Sequence, residues 1–206
     1  MSAGLLRWVF TGALIGLFAC TPEGGPTTGA SRTTTQGPAA ADALLLTTLA
    51  DDPGALWARA AGRGFDARFA REGVTLHTPL SDELPERPVL ALVRFGCPGS
   101  LTTVERVVPR LGAPDGAAAG QGRSRRAEYV YPGIREWYEN RSEGLEQGFT
   151  LDRPPCGEPR GLQIHVGYVG AEPTQRGEIA ELCNSQRSAC YRYSGLHAQD
   201  ATGRTL

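Results

Sequence analysis

The chain has 206 residues, with 22 acidic side chains, 21 basic ones that are all arginine, three histidines and a formal charge of −1. A balance this even, with no basic stripe, argues against a nucleic-acid-binding surface. The length left after the first 40 residues suits one domain, and five cysteines raise the question of export and disulfides.

The first 19 residues divide as an export signal does. Arg7 supplies positive charge, and residues 8 to 19, WVFTGALIGLFA, form an uncharged apolar run. A membrane-spanning helix needs about 20 residues, so this run has the length of a signal-peptide core instead. Leu17-Phe18-Ala19-Cys20 resembles the lipobox of bacterial lipoproteins, with Phe18 where a small or β-branched residue is more usual. The resemblance implies cleavage before Cys20, a thioether-linked diacylglycerol on its sulfur and acylation of the new amino group. Acyl chains at about 0.8 kcal/mol per buried CH₂ would hold the protein on a membrane. The alternative is an ordinary cleaved signal.

Residues 20 to 40 then carry the lipidated Cys20 and a Thr-, Gly- and Pro-rich stretch without a large aliphatic or aromatic side chain. Such a stretch buries too little apolar surface to offset its conformational entropy, and it reads as a disordered, flexible tether. Thr21 follows the cysteine without the Asp associated with inner-membrane retention. The expected location is therefore the cell envelope, at the outer membrane or cell surface.

Residues 41 to 206 are expected to form one mainly β domain, an antiparallel sandwich with one or two short helices at its start. Residues 39 to 61 are rich in Ala and Leu and read as helical, broken by the turn signal Asp51-Asp52-Pro53-Gly54. Period-two alternation follows. Phe65, Ala67 and Phe69, a turn at Glu72-Gly73, then Val74 and Leu76 predict a hairpin. Residues 88 to 95, PVLALVRF, are apolar on both faces and predict an interior strand. Residues 112 to 124 read as a loop. Strands are predicted over residues 134 to 140, 145 to 151 and 162 to 169, the first two joined by the short turn Arg141-Ser142-Glu143-Gly144. In the first of these, Ile134, Glu136 and Tyr138 share one face and Arg135, Trp137 and Glu139 the other. Many short strands with Gly/Pro turns point to a sandwich.

Residues 127 to 151 also carry a resemblance. Glu128-Tyr129, then GIREWY (Gly133 to Tyr138), then GLEQGFTL (Gly144 to Leu151) look like an N-terminal β-rich domain of large exported bacterial proteins, notably myxobacterial ones. In those proteins the domain precedes FG-GAP or related propeller-type repeats. Tyr193-Ser194-Gly195-Leu196 and the segment from Asp200 to Arg204 are similar to a later part of that domain. Phe69 to Leu76 and Leu90 to Gly96 fit its opening strands more loosely. No FG-GAP repeat occurs here, so the resemblance implies a truncated or split member and transfers no catalytic residue.

Four cysteines remain beyond Cys20, and an exported chain favours disulfides. The preferred pairing of the three that are possible is Cys97 with Cys156 and Cys183 with Cys190. A zinc site from Cys183, Cys190 and His197 is the rival, but its spacing matches no compact ligand knuckle. No metal or cofactor is expected. Glu136, Glu139, Glu143 and Glu146 raise the paired-carboxylate idea of a glycosidase, against which strand parity separates Glu136 from Glu139 and the hairpin ends read as solvated. Trp137 and Tyr138 face opposite sides, so one of them could stack on a sugar ring, although aromatic residues here read first as core. The function expected is a non-catalytic, lipid-anchored envelope module of an adhesive or repeat-presenting kind. It would partner the membrane and, through Trp137 or Tyr138, a glycan or a cell-surface protein. The alternatives are a carbohydrate- or cell-wall-binding domain and, behind it, an extracytoplasmic hydrolase.

Overall fold

The computed structural model describes residues 8–18, 44–59, 64–77, 87–113, 124–153, 156, 161–170, 172–183, 187, 190–199 and 204–205. Cys20, the tether read over residues 20 to 40 and most of the loop read over 112 to 124 lie outside the described residues. In chain order the strands are β1 (Trp8–Phe18), β2 (Thr47–Leu49), β3 (Asp52–Ala58), β4 (Asp66–Ala70), β5 (Gly73–His77), β6 (Val89–Cys97), β7 (Ser100–Thr103) and β8 (Arg110–Leu111). They continue with β9 (Arg126–Tyr131), β10 (Ile134–Asn140), β11 (Leu145–Leu151), β12 (Gln163–Val169), β13 (Glu172–Arg176), β14 (Ile179–Cys183) and β15 (Cys190–Gln199).

Two antiparallel sheets face each other as a sandwich. The larger runs β13-β14-β15-β1-β11-β10-β9-β8, and the smaller runs β12-β6-β5-β4-β3-β2 with β7 paired to β6. Their inner faces share one core, in which Phe69, Leu76, Leu92, Tyr138 and Leu151 are completely buried. Polar clasps also join the sheets. The Tyr129 hydroxyl donates to the Ala70 carbonyl at 3.0 Å, with the Gly73 carbonyl at 3.2 Å. The Asn140 side-chain amide donates to the Leu44 carbonyl at 2.9 Å.

The helical expectation for residues 39 to 61 is corrected over the part described. β2 and β3 form a hairpin there, and β3 pairs with β4 so that Leu56 lies opposite Phe69 and Ala58 opposite Ala67. That pairing buries Leu56 and Ala58 against the core, and packing against a sheet overrides modest helix propensity. Asp52 anchors the hairpin by accepting from the Trp57 indole N–H at 2.9 Å and from Arg68 Nε at 2.7 Å.

The period-two readings fare better. Residues 65 to 76 form the β4–β5 hairpin, PVLALVRF lies in β6 between β5 and β12, and 134 to 140 and 145 to 151 are β10 and β11. The apolar run near the amino end forms β1, antiparallel to both β11 and β15, so those two strands run parallel to each other. Cys97 is bonded to Cys156 and Cys183 to Cys190, the second pair being direct cross-strand partners on β14 and β15.

Candidate functional site: an apolar cavity beside a buried carboxyl

The β10–β11 hairpin carries the most concentrated polar chemistry of the core. Its register sets Glu136 opposite Phe149 and Tyr138 opposite Gln147, so Gln147 lies diagonal to Glu136 on the same inner face. Glu136 is 1% exposed and Gln147 is completely buried. The Glu136 carboxylate accepts from the Tyr138 hydroxyl at 2.7 Å, the Gln147 amide at 2.8 Å and the Tyr131 hydroxyl at 3.3 Å. A fourth donor, the backbone N–H of Leu92, comes from the opposite sheet. Burial raises the Glu136 pKa above the ordinary carboxylate value, and the four donors oppose that shift without reversing it. Burial and the neighbouring carboxyl likewise raise Tyr138.

The same hairpin meets a cavity of about 470 Å³. Its origin is the unequal width of the sheets. The small sheet ends at β12, whereas the large one continues past β11 through β1, β15 and β14 to β13. The apolar inner residues of those outer strands, Leu182 among them, therefore face space bounded by Leu162, Ile164 and Val166 of the β12 segment. Phe149 and Gln147 of β11 close the inner end. Tyr168 (41% exposed) and Leu196 (70% exposed) mark the open side. Tyr193, also in the wall, has its hydroxyl pushed up to about 12 by burial and by Glu136. The volume falls within the range of small-molecule sites, which are concave, mostly apolar and furnished with few polar groups.

The residues singled out from sequence are placed differently. Trp137 and Tyr138 do point to opposite faces, but both are sealed, at 2% and 0% exposure. Tyr138 belongs to the core network. On the outer face, the Arg126 guanidinium covers the Trp137 ring at 4.1 Å, and the indole N–H donates to Thr150 Oγ1 at 3.2 Å. Tyr138 lies in the core and Trp137 beneath the Arg126 guanidinium, so neither ring is exposed for stacking on a sugar, which corrects the expectation of ligand contact there.

Parity separates Glu136 from Glu139, as expected, but Glu136 is buried rather than solvated. Glu139 and Glu146 are cross-strand partners held by arginines, with Arg126 3.0 Å from Glu139 and Arg141 2.6 Å from Glu146. The Cys183–Cys190 disulfide leaves no thiolate there for the zinc alternative. Cys20 lies outside the described residues.

Glu136 and Gln147 as a hydrogen-bonded pair escaped the sequence reading. The available signal was two polar side chains at apolar-parity positions of neighbouring hairpin strands. Gly148 escaped it too. A Cβ built there would fall inside the Trp137 indole, whose ring is also packed against the Arg126 guanidinium at 4.1 Å. Gly148→Ala is therefore expected to destabilise the fold by about 2 kcal/mol, the usual range for overpacking. The shift in urea midpoint at unchanged slope measures it.

Comparison of the chain with protein-family models, with curated proteins and with solved structures finds no match.

Proposed function

We propose that this protein is a lipid-anchored, non-catalytic module of the bacterial cell envelope whose sandwich takes up an apolar small molecule between its sheets. The observation that carries the binding reading is the 470 Å³ cavity, walled by aliphatic and aromatic side chains with one buried amide in its lining. Support for the anchor comes from the export-type amino end, the lipobox-like Leu17 to Cys20 and the tether beyond it. Two disulfides accord with an oxidising compartment. The resemblance of GIREWY and GLEQGFTL to a domain of exported bacterial proteins points the same way. Carbohydrate stacking has weaker support, because the aromatic side chains proposed for it are buried.

Residues 8 to 18 serve two states in this reading. In the chain as translated they form β1, and cleavage before Cys20 removes them. The lining residues of the cavity on β6, β11, β12, β13, β14 and β15 all belong to the part of the chain that this cleavage leaves.

The test has two parts. Intact mass of the protein from its host membranes should match a chain beginning at Cys20 plus a diacylglyceryl and an acyl group. A peptide mass retaining residues 1 to 19, or an unmodified Cys20, would rule out the anchor. The neutral fluorophore N-phenyl-naphthylamine should bind saturably, one per chain. Val166→Phe, which fills the cavity, should weaken it about tenfold, equivalent to about 1.4 kcal/mol. Non-saturable or unchanged binding would rule out the cavity as the site.

A further inference from the structure

We infer that the ligand of this cavity is a single-chain amphiphile, its alkyl chain seated between the sheets and its polar head left in water at the open side. This deepens the binding reading above and rests on it.

The walls grade from dry to wet. Leu90, Gln147 and Phe149 are buried at the inner end, whereas Tyr168, Pro173 and Leu196 are exposed at the other. Among the described residues, none of those lining the cavity carries a charge. Gln147, the one amide in the wall, is sealed, with its nitrogen 2.8 Å from both Glu136 Oε1 and the Tyr138 hydroxyl. A charged group carried to the inner end would lose its water and gain no partner there. At the open side the same group keeps its water. The ligand that matches such a gradient has one apolar end and one polar end, and it enters tail first.

The shape narrows the class further. The lining runs from Phe149 on β11 to Pro173 on β13, with β1, β15 and β14 between those strands. Four strand spacings amount to about 19 Å. Spread over that length, 470 Å³ gives a mean cross-section of about 25 Å². That suits one saturated chain and leaves no width for a second chain or a fused ring system. Because the head stays outside, the site reads chain length and not head charge.

The experiment uses the full chain, purified without detergent. Bound N-phenyl-naphthylamine is displaced by octanoate, decanoate, decyltrimethylammonium and decanedioate, each below its micelle-forming concentration. Decanoate and decyltrimethylammonium, opposite in charge and equal in chain, are expected to act within about threefold of each other. Octanoate should need about fifteen times as much as decanoate, since two methylene groups fewer are buried. Decanedioate, which must carry a second carboxylate to the dry end, should need at least about a hundred times as much. Decanedioate as effective as decanoate, a strong preference between the two charged heads, or no dependence on chain length overturns the tail-first seating and leaves apolar binding intact. Failure of all four to displace a fluorophore that still binds one per chain overturns this inference alone. Absence of saturable fluorophore binding overturns the binding reading with it.

Discussion

Replacing Glu136 with leucine is expected to lower stability by about 3–5 kcal/mol, because four buried donors lose their common acceptor at once. The Tyr138 and Tyr131 hydroxyls, the Gln147 amide and the Leu92 N–H all converge on this carboxyl. A leucine fills the volume and pairs with none of them. Single-domain proteins have about 5–15 kcal/mol in total, so the loss is a large part of what holds the sheets together.

Glu136→Gln separates hydrogen bonding from charge, since it retains an acceptor and cannot ionise. Burial raises the folded-state pKa above the ordinary value of 4.5. The stability linked to this group is therefore fully present below pH 4.5, and it is lost as pH rises through the folded-state value. Urea midpoints measured from pH 5 to pH 8 should fall more steeply for the unsubstituted chain than for Glu136→Gln. Parallel curves would mean that the carboxyl does not titrate differently on folding.

Much of the central hairpin was legible because its local signals agree. Alternation over 134 to 140 and 145 to 151, with a short Arg141–Gly144 connection, defines two strands and the faces of each. The recognisable motif turns out to be structural in content. In GIREWY and GLEQGFTL, Gly133 takes the positive φ of a tight turn, Glu136 bonds Gln147, and Trp137 lies over Gly148. A segment can thus be distinctive because its core is unusual. Residues 44 to 58 misled because Leu and Ala favour helices in isolation, whereas here Leu56, Trp57 and Ala58 lie opposite successive residues of β4. β13 to β15 went unread as strands, since charged and apolar residues mix in ILE-type stretches such as Ile179-Ala180-Glu181-Leu182 without a clean period. The cavity has no local signature at all. It follows from one sheet outrunning the other, a property of the assembled topology.

That dependence on topology makes the Cys97–Cys156 disulfide the second large lever on the molecule. The bond closes a separation of 59 residues, against 7 for Cys183–Cys190. On chain entropy alone the two are worth about 4 and about 2 kcal/mol. Their positions differ as much as their loops. Cys97 ends β6, and the β6–β12 ladder begins beside it with Gly96 opposite Gln163. The link therefore holds the chain at the entrance to β12, the last strand of the small sheet and a wall of the cavity.

Paired serine substitution at Cys97 and Cys156 is expected to cost about 4 kcal/mol and to loosen β12 first, because that strand pairs only with β6 among those described. Amide exchange should accelerate across Gln163–Val169 before it does so in β10 and β11, and affinity for an apolar ligand should fall with it. The Cys183/Cys190 pair serves as the internal comparison, with the smaller loss of about 2 kcal/mol and exchange accelerated in β14 and β15. Equal losses for the two pairs would show that loop length is not what governs their contributions. Faster exchange in β10 and β11 ahead of β12 would show that the wall of the cavity is not held from its Cys156 end.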